Sequence, residues 1–388
     1  MRFADIIGQK QIINRLKDLV DHNRLSHAVL LIGKEGSGAL PIALAFAAYI
    51  IEAEEKNAVN TAANLFGEPA PPSYEGTQKA DKYIHPDIHF SYPVIPKKSG
   101  DKPISTDYIT EWRNFLQLAP YGNVYDWLQS IGAENKQGNI TARECEDILR
   151  KLQLKSFESK HKILILWMPK YLGNEGNKLL KLIEEPPPGT VFILVSDGEE
   201  GVLPTIISRC QTIRIPLLET DDITSALIER AKLEKEKAVQ IAGLADGNYR
   251  EALQLTQHAE SDWQAVLREW LNTMVKADNV GQIKWAEEMG QNGRENQKQF
   301  LLYFIHLTEL SIRLAALNEE IVAASEQEKD FAARINKLCD LSQLEAISSE
   351  LDKAIYYIER NANAKMLFAA LSIKLYHIIR NRVVPEIQ

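Results

Sequence analysis

Between an apolar run ending at Ile32 and a strongly apolar stretch that Pro41 opens, the sequence reads Gly33-Lys34-Glu35-Gly36-Ser37-Gly38. Glycines at this spacing between a strand and a helix form the loop that cradles phosphate. Its backbone N–H groups hold the oxygens, a lysine after the last glycine reaches the outer phosphates, and the hydroxyl that follows holds Mg²⁺. Here those two positions are Ala39 and Leu40. A methyl and an isobutyl group supply neither a charge nor a metal ligand, and Lys34 lies inside the loop, away from the lysine position. Losing such a charge-assisted contact removes on the order of a few kcal/mol of binding. A glycine turn into a core helix, with at most residual anion binding by its amides, is therefore the reading of this loop.

The second half of a nucleotide site is an apolar strand ending in acidic residues, one organising Mg²⁺ and one acting on the attacking water. In this chain Ile163-Leu164-Ile165-Leu166 runs into Trp167-Met168-Pro169. Two carboxylates have become an indole and a thioether. All four groups are lost together, so the sequence predicts no productive ATP or Mg²⁺ binding.

The elements that must hold these residues alternate. His27 to Ile32, Lys162 to Leu166, Val191 to Val195 and Thr212 to Ile215 are apolar runs that predict strands of a parallel sheet. Helical stretches lie between them; Pro41 opens Ile42 to Ile50 as a first-turn proline, and Lys178 to Glu185 stops at Pro186-Pro187-Pro188. Residues 68 to 104, with prolines at Glu68 to Pro72 and Pro93 to Gly100, read as the main irregular stretch. From about Leu217 the spacing is helical only: two or three short helices to Gln257, then apolar stripes at Leu301, Phe304, Leu307 and Leu367, Leu371, Leu375. The fold class is α/β then all-α, with the change near Leu217; the resemblance described below divides the chain into three domains, 1–216 with the degenerate phosphate loop, a helical lid at 217–262 and a helical collar at 263–388.

The bulk properties suit that reading. A chain of 388 residues exceeds one compact core. A net charge of −8 argues against a protein that coats nucleic acid unaided. No apolar run is long enough to span a membrane, and the N-terminus lacks an apolar signal core, so a cytoplasmic location is expected. Cys145, Cys210 and Cys339 are too far apart in sequence for a short-range metal pattern and read as small apolar residues. The basic residues Arg150, Lys151, Lys155, Lys160, His161 and Lys162 form either a solvated face or a surface for DNA phosphates.

With these residues in view, the chain resembles the delta-prime subunits of bacterial DNA polymerase III, in the clamp-loader AAA+ family. Asp5-Ile6-Ile7-Gly8-Gln9, Arg24 to Ala28, Asn177 to Pro187, Ile207-Ser208-Arg209-Cys210 and Asn361 to Lys365 carry the likeness, which covers nearly the whole chain. It implies an AAA+ P-loop-type sheet domain, a small lid and a collar. It implies a non-hydrolysing subunit, no enzyme by itself, in a cytoplasmic hetero-oligomer. Its partners would be gamma/tau-type ATPase and delta-type subunits reached through the collar, with the sliding clamp and primed DNA inside the complex. Arg209 would project in trans into a neighbour's ATP site, with Ser208 and Cys210 positioning it. Arg250 sits where active relatives carry a nucleotide-sensing arginine; here it is expected in a salt bridge, and Ser196, at the polar sensor position, is expected to sense nothing. The family often carries a four-cysteine zinc module, but residues 51 to 84 hold no cysteine, so no zinc is expected, and His85 and His89 read as structural. The alternatives are an active motor ATPase and a clamp-opening delta-type subunit, the latter not expected to carry Ser208-Arg209-Cys210. Residues 94 to 139 look like an insertion without a functional reading.

Overall fold

A computed structural model describes residues 1–61, 74–98, 100–133, 136–257, 263–276, 278–316, 326–360 and 362–382. The loop read at Glu68 to Pro72, Ser99 and Asn361 lie outside the described residues. The described chain divides into two compact units, Met1–Lys235 with Ala245–Leu253, and Glu236–Leu244 with Gln254–Gln388. Residues 217–262, read as a lid, contribute to both.

The first unit runs α1 (Lys10–Asp21), β1 (Ala28–Ile32), α2 (Ala39–Thr61), α3 (Glu75–Asp81), β2 (Ile88–Ser91), α4 (Ile109–Leu118), α5 (Val124–Ser130), α6 (Ala142–Gln153) and β3 (Lys162–Trp167). Then follow α7 (Asn177–Glu184), β4 (Thr190–Ser196), α8 (Pro204–Ile207), β5 (Gln211–Arg214) and α9 (Thr220–Ala231). The five strands are parallel in the order β2-β3-β4-β1-β5. Every residue of β1, β3 and β4 is buried, the pattern of strands covered on both faces. Val29, Leu31, Ile165, Trp167 and Ile193 pack on one face with Ile42 and Phe46 of α2. Leu30, Leu164, Leu166 and Leu194 pack on the other with Ile148 of α6 and Leu179 of α7. This is the expected α/β architecture, with the strand feeding the glycine loop inside the sheet.

One expectation is corrected. Residues 68–104 are not one irregular stretch, because α3 and the edge strand β2 lie within them. Ile-His-Phe-Ser alternates apolar and polar residues, but four residues are too few for the pattern to stand out among the prolines around it. The described residues of 94–139, which had no functional reading, pack into the core. Trp112 of α4 and Trp127 of α5 are fully buried; Trp112 stacks on Tyr92 at 4.0 Å and meets Trp127 edge-on at 5.1 Å. The Trp127 indole N–H donates to the Pro93 carbonyl at 2.7 Å.

The chain then forms α10 (Lys235–Leu244) and α11 (Tyr249–Gln257), and six further helices: α12 (Trp263–Val275), α13 (Asn279–Gln291), α14 (Arg294–Ala316), α15 (Glu326–Leu338), α16 (Leu341–Glu359) and α17 (Ala364–Asn381). The second unit closes around Trp270 and Trp285, stacked at 4.3 Å and surrounded by Phe300, Phe304 and Phe368. The Trp270 N–H is satisfied by Ser372 Oγ at 2.8 Å. The helical spacing of the sequence therefore reports packing faces.

Candidate functional site

The glycine loop lies where the sequence expects it, leaving the end of β1 and entering α2. Gly36 and Gly38 have φ of 68° and 94°, which only glycine adopts freely. What crowds them belongs to the chain itself. A Cβ at Gly36 would stand 1.9 Å from Asn248 Oδ1 and 2.7 Å from the Tyr249 nitrogen; at Gly38 it would stand 3.1 Å from the Tyr121 ring. The Tyr249 N–H donates to the Gly36 carbonyl at 3.3 Å, so Asn248 and Tyr249 press directly on the loop.

Residues 120–126 close the cleft from another side. Tyr121 is buried against Tyr249, edge to face at 5.0 Å. Its hydroxyl accepts from the Ile7 N–H at 2.9 Å, and burial pushes its pKa up to about 12. The Asn123 amide donates to Glu35 Oε1 of the loop at 3.0 Å. Asp126 completes a capping box with Asn123 at the start of α5. It also takes the Arg250 guanidinium in a bidentate pair at 2.6 and 2.7 Å. Arg250 is 4 % exposed, and its other edge lies 3.9 Å from Glu35. The salt bridge expected of Arg250 thus exists, with a partner from the segment that had no reading. The space left between loop, residues 120–123 and the ends of β3 and β4 is about 30 Å³, room for a water molecule or two and an order of magnitude below an ordinary small-molecule site.

Ala39 and Leu40 are buried at the start of α2, and Lys34 points to solvent. Trp167, where a metal-organising acid is expected in an active site, sits in the aromatic cluster, 5.1 Å from Trp112 and 6.0 Å from Phe115. Met168 adopts φ 59° while its N–H donates to the Val195 carbonyl at 2.7 Å. The Ser196 hydroxyl turns to the Gly198 carbonyl at 2.7 Å. Thus Gly33, Gly36, Gly38, Ala39, Leu40, Trp167 and Met168 do gather around one cleft, and side chains from the same unit occupy it.

Arg209 is elsewhere. Pro204 starts α8, and the chain turns through Ser208 to Cys210 before β5. Because β5 runs parallel to β1 with Gln211 beside Val29, this turn lies at the end of the sheet opposite the glycine loop. Arg209 pairs with Glu184 through Nε and one terminal nitrogen, and the other terminal nitrogen donates to the Thr205 carbonyl at 2.8 Å. The two side chains remain 34 % and 42 % exposed. The Ser208 hydroxyl donates to the same carbonyl at 3.2 Å. Burial raises the Cys210 thiol to about 11, so it is a neutral thiol, suited to packing and not to nucleophilic attack.

The basic stretch does not form one face. Arg150 and Lys151 pair with Asp147. Lys162 is buried at the start of β3, its ammonium capping the carbonyl of Leu154 at 2.6 Å beyond the end of α6, and burial lowers its pKa. His161 meets Glu54. Lys155 and Lys160 are exposed and have no ion pair among the described residues. His85 is buried, with Nδ1 accepting from the Asp87 N–H at 3.1 Å, a structural role. Sequence reasoning missed Tyr121, Asn123, Asp126 and Glu184. The Asn-x-x-Asp pattern at 123–126 signals a helix start, but nothing local signals its partner in α11.

The family model described as "DNA polymerase III, delta subunit" matches residues 8–219. The chain is 26% identical over 253 residues to the DNA polymerase III subunit delta' of Bacillus subtilis, covering 65% of this chain and 60% of that protein. It is 25% identical over 263 residues to the tau/gamma subunit of Haemophilus influenzae, covering 66% of this chain and 30% of that one. Among solved structures it is similar to a gamma subunit-related protein of Thermotoga maritima, with TM-score 0.38, 14% identity and coverage of 95% and 99%. Another is the clamp loader delta protein of Bacillus subtilis, with TM-score 0.29, 10% identity and coverage of 94% and 99%.

Proposed function

This chain belongs to the DNA polymerase III delta-subunit family, and from that premise we propose that it is a non-hydrolysing clamp-loader subunit that lends Arg209 to a neighbouring ATPase. The observation that carries the proposal is the filled cleft. Arg250 grips Asp126 where an active subunit would present it to a nucleotide, and the lysine and metal ligands are missing as well. Admitting ATP would mean breaking that largely buried pair, while the lysine and metal-ligand contacts that repay such a cost elsewhere, each about 1.5–3 kcal/mol, are missing here. The active-motor reading meets both obstacles.

The surviving arginine favours a partner role. It lies at the opposite end of the sheet from the chain's own loop, so it can face another subunit's site while its own end of the sheet stays closed. A guanidinium there would stabilise charge developing on the transferred phosphoryl group. The clamp-opening alternative gives Arg209 no task. Assembly is assigned to residues 263–388, where Val280, Ile283, Met366 and Ile373 are exposed. Residues 217–262 are assigned as the lid. Gamma/tau-type and delta-type subunits are the proposed partners, the sliding clamp and primed DNA the proposed substrates, and the cytoplasm the proposed location. No helix among the described residues is long and apolar enough to cross a membrane.

Calorimetric titration of Mg²⁺–ATP into the full chain tests the closed cleft. The expected outcome is no saturable heat up to millimolar nucleotide. One-to-one binding in the micromolar range would restore the motor reading.

A further inference from the structure

Arg209 is not loose at the surface; it is held, and the way it is held is informative. The guanidinium presents two edges. One is tied to the Thr205 carbonyl within the same turn at 2.8 Å. The other, the Nε edge, faces Glu184. That second edge is the fork that suits a planar pair of oxygens, whether from a carboxylate or a phosphate.

Glu184 is an unexpected residue for its place. It is the last residue of α7, with Glu185 after it, at a helix end where the backbone dipole disfavours negative charge and favours cations. Pro186, Pro187 and Pro188 follow and fix the chain's exit. Among the described residues the Glu184 carboxylate makes no other hydrogen bond or ion pair, so helix stability does not account for it. The guanidinium across from it does.

We propose that Glu184 is a positioning residue for Arg209: it holds the guanidinium extended at the subunit edge and yields it to the γ-phosphate of a neighbour's nucleotide. The inference rests on the in-trans role of Arg209 proposed above. Both side chains are more than a third exposed, and a half-solvated ion pair is weak. It narrows the rotamers of a long side chain without sequestering it. A phosphate with its metal, in a site closed to water, offers the same fork a stronger partner. When no triphosphate is present, Glu184 keeps the cation from standing unpaired at the interface.

The test is steady-state ATP hydrolysis by the reconstituted clamp loader carrying Glu184→Ala, Glu184→Gln, Arg209→Ala, or Glu184→Ala with Arg209→Ala. The proposal expects normal assembly. It expects a fall in kcat of about tenfold for Glu184→Ala with KM little changed, partial recovery in Glu184→Gln, and no further loss when Glu184→Ala joins Arg209→Ala. An unchanged kcat in Glu184→Ala, or an equal loss in the Arg209→Ala background, overturns it. An unchanged kcat in Arg209→Ala instead overturns the in-trans reading on which it stands.

Discussion

Arg209 and Arg250 carry the same guanidinium into different surroundings, and burial separates them. Arg250 is enclosed and bidentate to a carboxylate of its own unit; Arg209 is partly solvated, in an ion pair at the surface. The first was legible only as a kind of interaction. The second could be named from its motif, yet its partner Glu184 could not. Histidine adds a pH dependence at this scale. Burial, with Lys151 nearby, lowers His89 from 6.5 to about 4, so the folded chain declines a proton that the unfolded chain accepts between those values. Stability should therefore rise with pH across that window and lose this dependence below pH 4. Glu144, buried with its carboxyl pushed up by burial, works in the opposite sense, because the unfolded chain ionises first as pH rises. Comparing His89→Gln with its parent isolates the histidine. Urea midpoints at pH 7, 6 and 5 should fall less steeply in the variant, and parallel falls would reject the assignment.

Among elements, α4, α5 and α11 do what no single residue announces. The aromatic layer of α4 and α5 surrounds Trp167, so the end of β3 is part of a core. From that base α5 offers Asp126 to Arg250, which anchors α11 over the glycine loop. The strands were legible because three of them are continuous apolar runs. Gly33 to Leu40 was legible because its chemistry depends on residue types a few positions apart. The cap was not, because Asp126 and Arg250 are 124 residues apart in sequence, and an aromatic cluster in an irregular-looking stretch does not state what it covers. Arg250→Ala leaves a carboxylate partly buried without its cation and should cost about 2–4 kcal/mol, with Arg250→Lys recovering part. Urea denaturation reads the stability, and hydrogen exchange at residues 245–253 reads the release of the segment. A loss under about 0.5 kcal/mol, the size of a surface pair, would mean the pair is no anchor.

At the scale of the whole molecule, the two ends of one sheet have been given different fates. The end that carries the glycine loop is packed shut by the chain's own side chains, and the end that carries Arg209 stays open to solvent. On the proposed reading such a subunit acts beside another, as a member of a clamp-loader family would. The change from a strand–helix pattern to helices alone made this division legible near Leu217. The sharing of residues 217–262 between the two units was not, since periodicity records helices and not the neighbours they choose. The most direct measurement is the pre-steady-state burst of ATP hydrolysis in the reconstituted loader with Arg209→Ala in place of the parent chain. The account predicts unchanged assembly and unchanged ATP binding, with the burst reduced by one site per complex. A full burst from the variant would contradict it.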